Sequence, residues 1–161
     1  MILLNLNMLR IAAALATTCF AHEFTPYASQ EDNGDFPAVT TPMTFEQTAG
    51  QDKMQVLTDQ TKADPDPPQL GGTATFTVSG LAHIPLTIET LEFKAWLFGV
   101  KAYDESYPPS GSTTASPGTV WTSTLPFDIP AVAPSTEYDV EIDGNDADGN
   151  AVFSIRTAFR F

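Results

Sequence analysis

The sequence predicts an all-β chain folded as a sandwich or a barrel. Thirteen prolines and ten glycines spread over 161 residues interrupt any long helical period. Several short stretches alternate apolar and polar residues at period two, the spacing of a half-buried strand. Turn signals separate these stretches throughout. The length suits one domain with a sizeable core and is short for two, and at 42% hydrophobic residues the chain has the apolar material to fill one.

Taken in order, Met43–Asp59 holds Phe45 and then Met54-Gln-Val-Leu-Thr, a pair of early strands divided by a turn at Ala49-Gly50. Pro65, Pro67 and Pro68 fix φ and make an extended linker, which the Gly71-Gly72 turn ends. Ala74, Phe76 and Val78 then alternate with Thr75, Thr77 and Ser79, one face buried and one wet, until Gly80. Leu86 and Ile88 share one phase, and Leu91, Phe93, Ala95 and Leu97 the opposite one. The slip near Glu89–Thr90 predicts a bulge or tight corner. Trp96-Leu97-Phe98-Gly99-Val100 is apolar at both phases, as in a strand buried on both sides. Asp104–Gly118 reads as loop. Val120–Pro130 alternates again, with Trp121, Leu125, Phe127 and Ile129 on one side and Pro126 marking an edge strand. Asp148-Gly149 predicts a two-residue type I′ hairpin. It would pair Ile142 with Ile155, Val140 with Thr157, Tyr138 with Phe159 and, on the other face, Glu141 with Arg156.

Residues 1–21 stand apart. Arg10, the apolar run Ile11–Ala16 and the small residues Cys19 and Ala21 around Phe20 read as a signal peptide cleaved after Ala21. The run is far shorter than the roughly 20 residues of a membrane span. The expected location is extracellular or the endolysosomal lumen. Residues 22–42, with three prolines and no clean period, read as an extended arm, and 43–161 as the domain. Cleavage would remove the only cysteine and leave no disulfide. It would also leave 6 basic against 20 acidic residues, a net −14. Such a potential repels phosphate backbones and excludes nucleic acid as a partner.

Five segments, in order and at compatible spacing, carry a family resemblance: PDPPQLGG before a strand, WLFGV at 96–100, YDES at 103–106, LPFDIP at 125–130 and EYDVEIDGNDADGNAVFSIRTAF at 137–159. From about Met43 to Phe161 the chain resembles the MD-2-related lipid-recognition family. That family includes the lysosomal sterol-transfer proteins, the group 2 mite allergens and the fungal phosphatidylglycerol/phosphatidylinositol transfer proteins. The sequence departs from it in its cysteines: Ser116-Pro117-Gly118 stands where a Cys-Pro pair is usual, and Ser154 where the last cysteine falls. The resemblance implies an immunoglobulin-like two-sheet sandwich of about seven strands. Its sheets would part to hold a sterol or phospholipid tail, with transient membrane contact. A monomer is expected.

The residues expected to line such a cavity are Phe76, Val78, Trp96, Phe98, Val100, Trp121, Leu125, Phe127, Tyr138, Val140, Ile142, Phe153, Ile155 and Phe159. Trp96, Phe98, Val100, Trp121 and Phe127 are the foremost wall candidates. Any closed sandwich core holds the same residue types, so an extracellular binding or adhesion module with a filled interior is the alternative. Other chemistry finds little support. A new N-terminus at His22, with His83, would suit a copper-binding histidine brace of a secreted oxidase, but two histidines do not amount to a motif. Neither frame of Asp143–Asn150 meets the ligand spacing of a calcium loop. No Gly-X-Ser-X-Gly, cysteine nucleophile or phosphate loop is present, so neither enzyme activity nor a cofactor is expected.

Overall fold

The computed structural model describes residues 42–134 and 136–160. The expected signal peptide, nearly all of the arm, and His22 lie outside them. Eleven strands fall among the described residues: β1 Glu46–Ala49, β2 Met54–Val56, β3 Lys62–Asp64, β4 Thr73–Ala82, β5 Leu86–Thr87, β6 Thr90–Leu97, β7 Val100–Tyr107, β8 Thr114–Ala115, β9 Val120–Asp128, β10 Glu137–Asn145 and β11 Ala151–Arg160. They exceed the expected seven because several pieces are only two to four residues long.

Two antiparallel sheets face each other. The first runs β1-β11-β10-β6-β7. In the second, β2 and β3 share one side of β4 and β9 takes the other, while β5 and β8 form a separate ribbon. The all-β two-sheet sandwich is as expected. Its inner faces follow the period-two pattern: Ala74, Phe76 and Val78 on β4, Leu91, Phe93, Ala95 and Leu97 on β6, and Val140 and Ile142 on β10 are all buried. Gly50, at φ 79°, turns the chain from β1 in one sheet to β2 in the other. Pro126 sits on β9, which pairs with β4 alone, so its missing N–H breaks no ladder.

Three local expectations are corrected. Gly80 does not end β4, which continues to Ala82, and a side chain at Gly80 would collide with Met54 of β2. Asp104–Gly118 is not all loop, since β7 reaches Tyr107 and β8 follows. Trp96–Val100 is not a doubly buried strand. It is the β6–β7 hairpin, with Leu97 opposite Val100 and both central residues left-handed, Phe98 at φ 51° and Gly99 at 75°.

The β10–β11 register matches expectation at every named pair, and Arg156 donates to Glu141 at 3.0 Å. Its turn is of another kind. Only Gly149 has positive φ, Gly149 N–H donates to the Asp146 carbonyl, and the Asp146 side chain accepts from the N–H groups of Asp148 and Asn150. A one-residue irregularity at Gly144/Asn145 absorbs the difference.

Candidate functional site

Strand β7 ends one sheet and β9 borders the other, and the two lie face to face without sharing a ladder. Side chains alone close the gap between them. On β9, Phe127 projects inward and stacks on Phe93 of β6, centroids 4.4 Å apart and planes 24° apart. Tyr103 of β7 meets the Phe127 ring edge-on at 4.8 Å, and Phe76 of β4 touches Phe93 at 5.3 Å. Four rings from both sheets thus fill the interior at this level.

Beside this cluster the inner face of β7 turns polar. The register sets Tyr103, Glu105 and Tyr107 opposite Ala95, Phe93 and Leu91, all core residues. Both phenols donate to Glu105 Oε2, Tyr103 at 2.6 Å and Tyr107 at 3.0 Å, and the two hydroxyl oxygens lie 2.6 Å apart. Burial, then the hydrogen bond to Glu105, raises the Tyr103 phenol far above the ordinary tyrosine range. Burial also raises Tyr107. Both therefore remain neutral donors at physiological pH. An inward carboxylate at a sheet edge also discourages edge-to-edge pairing. Farther along, the chain after β7 straps the β9 edge: Ser110 N–H donates to Ser123 Oγ at 2.8 Å, and Thr124 N–H donates to Ser110 Oγ at 2.7 Å.

Eleven of the fourteen expected cavity residues lie in the shared core: Phe76, Val78, Trp121, Leu125, Phe127, Tyr138, Val140, Ile142, Phe153, Ile155 and Phe159. Trp121 packs on Phe153 at 5.8 Å and donates its indole N–H to the Ser112 carbonyl. Tyr138 stacks on Phe159. The other three are misplaced. Trp96 is half-buried at the phase opposite Ala95 and Leu97, on the outer face among Lys94 and Asp139. Phe98, 82% exposed, caps the hairpin, and Val100, 66% exposed, follows it. Phe93 and Tyr103 occupy the places those three were expected to fill. The Leu91/Phe93/Ala95/Leu97 phase was the usable signal for Phe93; for Tyr103 the sequence offers none, because Glu105 interrupts the apolar phase of its strand.

His83 is exposed on the β4–β5 connection, and no group of three metal-ligating side chains gathers among the described residues. A surface cleft of about 330 Å³ at the other end of the sandwich is lined by Ile84, Leu86 and Val152 with Lys53, Asp146 and Asp148, and by none of the expected cavity residues.

No protein-family model matches the sequence, and no curated protein does. Among solved structures the fold is similar to Spo0M, a sporulation control protein from Bacillus subtilis, at 18% identity and TM-score 0.46 over 68% of this chain. The match covers 48% of that protein, so the chain spans about half its length. It is also similar to two lipid-recognition-domain proteins. One is a Niemann-Pick type C2 protein from Japanese carpenter ant, at 7% identity and TM-score 0.41 over 74% of this chain and 94% of that one. The other is chicken MD-1, crystallised in complex with lipid IVa, at 13% identity and TM-score 0.44 over 74% and 89%.

Proposed function

We propose that the chain is a secreted, non-catalytic lipid-binding protein of the lipid-recognition type, admitting one apolar ligand between its sheets along the β7/β9 edge. The observation that carries this reading is the combination at that edge: an aromatic interior closed by side chains only, with a phenol–carboxylate–phenol group at its mouth. Parting β7 from β9 breaks no backbone ladder between them, and an entering hydrocarbon chain replaces the ring contacts at about 0.8 kcal/mol per buried CH₂. Glu105 would accept a hydrogen bond from a sterol hydroxyl, and the phenols would donate to an ester or phosphate oxygen. The acidic chain favours neutral or zwitterionic ligands over anionic ones.

The test is uptake of a fluorescent sterol and a fluorescent phosphatidylcholine by the purified protein, alongside solvent extraction of whatever co-purifies. One equivalent of ligand is expected, taken up faster by Phe127→Ala, which removes the ring that seals the edge. Absence of both uptake and co-purified lipid refutes the reading. It would leave the second one, a closed-core binding module, which the 4.4 Å Phe93–Phe127 stack favours.

A further inference from the structure

Among the described residues, four of the six exposed large apolar side chains gather at one end of the sandwich, and Ile84 and Val120 lie elsewhere. Thr73 pairs with Asp128, Asp64 with Thr75, Asp139 with Trp96 and Glu137 with Arg160, so the β3–β4, β6–β7 and β9–β10 connections share one end of the sandwich. That end carries Leu70, Phe98, Val100 and Val132, at 43%, 82%, 66% and 80% exposure. A side chain at Gly71 would meet Ala131 at 3.2 Å, so the Leu70 and Val132 loops abut. The same three connections are uncharged over 67–73, 96–100 and 129–136, in a chain with 20 acidic residues. At their border Lys101 is paired with Asp104, Asp66 accepts from the Met43 N–H, Asp128 accepts from the Thr73 hydroxyl, and Glu137 follows the last stretch.

Phe98 is also the only non-glycine residue with positive φ among those described. A bulky side chain there is strained where Asn or Gly would rest easily, and such strain concentrates at functional positions. The ring is held outward, in water, at an energetic disadvantage on both counts.

We propose that this apolar-tipped end is a membrane-docking surface, with Phe98 as its leading anchor, and that its partner is a neutral, zwitterionic lipid surface. A protein partner fits less well. At roughly 150–200 Å² per fully exposed large apolar side chain, the four exposed fractions amount to about 500 Å², short of the ~800 Å² per partner in a stable protein interface. Exposed apolar side chains on three loops suit a fluid interface that closes around them, and an aromatic on a hairpin turn suits the headgroup boundary. Net charge decides the lipid class: −13 on the whole chain opposes an anionic leaflet, while the uncharged stretches that carry the four apolar side chains leave a zwitterionic one open. This inference does not rest on interior ligand binding, since a closed-core protein would dock in the same way.

The test is co-sedimentation of the purified protein with phosphatidylcholine vesicles. Binding is expected for the wild type. Phe98→Asn should weaken it about tenfold through loss of the ring, without lowering thermal stability, because Asn accepts positive φ. Adding Val132→Asp should abolish binding. The proposal is overturned if the wild type ignores neutral vesicles at millimolar lipid, if Phe98→Asn binds as well as wild type, or if binding requires phosphatidylserine. A Phe98-dependent dimer that does not bind vesicles would also overturn it, assigning the surface to a second copy. A protein that loads lipid in the uptake assay but fails here would lose this inference alone.

Discussion

Removing one oxygen from Tyr103 tests whether the β7 edge is held as described. Tyr103→Phe keeps the ring against Phe127 and Phe93 and deletes the 2.6 Å hydrogen bond to Glu105. A hydrogen bond to a charged group contributes about 1.5–3 kcal/mol. The low end applies, about 1.5 kcal/mol, because Glu105 keeps the Tyr107 hydroxyl and the edge is only half-buried. The pH dependence makes the test specific. Tyr103 has a raised folded pKa, so its contribution is fully present below about pH 10, the ordinary tyrosine value. Above that the unfolded chain releases the proton while the folded one keeps it, and stability falls as pH rises. One proton corresponds to about 1.4 kcal/mol per pH unit. Urea unfolding at pH 7 and at steps between 9.5 and 11 should show the wild-type advantage over Tyr103→Phe steady up to pH 10 and shrinking beyond. Other groups raised in the same sense, such as Lys94 and Tyr138, cancel in the difference. Parallel curves through pH 11, or a cost at pH 7 below about 0.3 kcal/mol, would refute the argument.

On the outer face of the larger sheet, Lys94 contacts Asp143 at 2.7 Å and Glu92 at 3.0 Å. Lys94→Met leaves these carboxylates without their cation and should cost about 2 kcal/mol at neutral pH. Burial alone would lower the Lys94 pKa, but the two carboxylates outweigh it and raise it. The difference from wild type in denaturant unfolding should therefore be flat through neutrality and close only above about pH 10.4. Gly144→Ala puts a Cβ 2.2 Å from Cε1 of the fully buried Phe153 ring. A cost of about 3 kcal/mol is expected, read as a loss of more than about 10 °C in Tm.

What was legible in the sequence is what period two and the place of a turn determine. The β10–β11 register follows from the position of the turn together with the apolar phases, and it is correct although the turn is of another kind, because the one-residue step at Gly144/Asn145 offsets the difference. The turn depended on a side chain: Asp146 bridges two N–H groups and leaves only Gly149 left-handed. The type I′ hairpin that does exist was hidden because Phe98 stands where Asn or Asp would advertise it. Apolar on both phases, Trp96–Val100 mimics a buried strand, and size rather than phase then chose Trp96 for the wall. Strand β7 was missed for the opposite reason: its inward residues include a glutamate between two tyrosines, so its pattern reads polar on both sides. The short strands β3, β5 and β8 hold too few residues to display any period.

Both proposals meet on β7. The strand leaves the strained tip at Phe98-Gly99, pairs only with β6, and carries Tyr103, Glu105 and Tyr107 along its inner face to the Ser110 strap. From Phe98 to Tyr103 is five residues, about 16 Å of extended chain. A surface that engaged the tip would therefore act on the same strand whose side chains close the inter-sheet gap. The irregular step at Ala95/Trp96 lies between the two, where the β6–β7 ladder is already broken once. Backbone pairing resists a change in separation between β6 and β7, whereas rings, hydroxyls and the Ser110 strap resist one between β7 and β9.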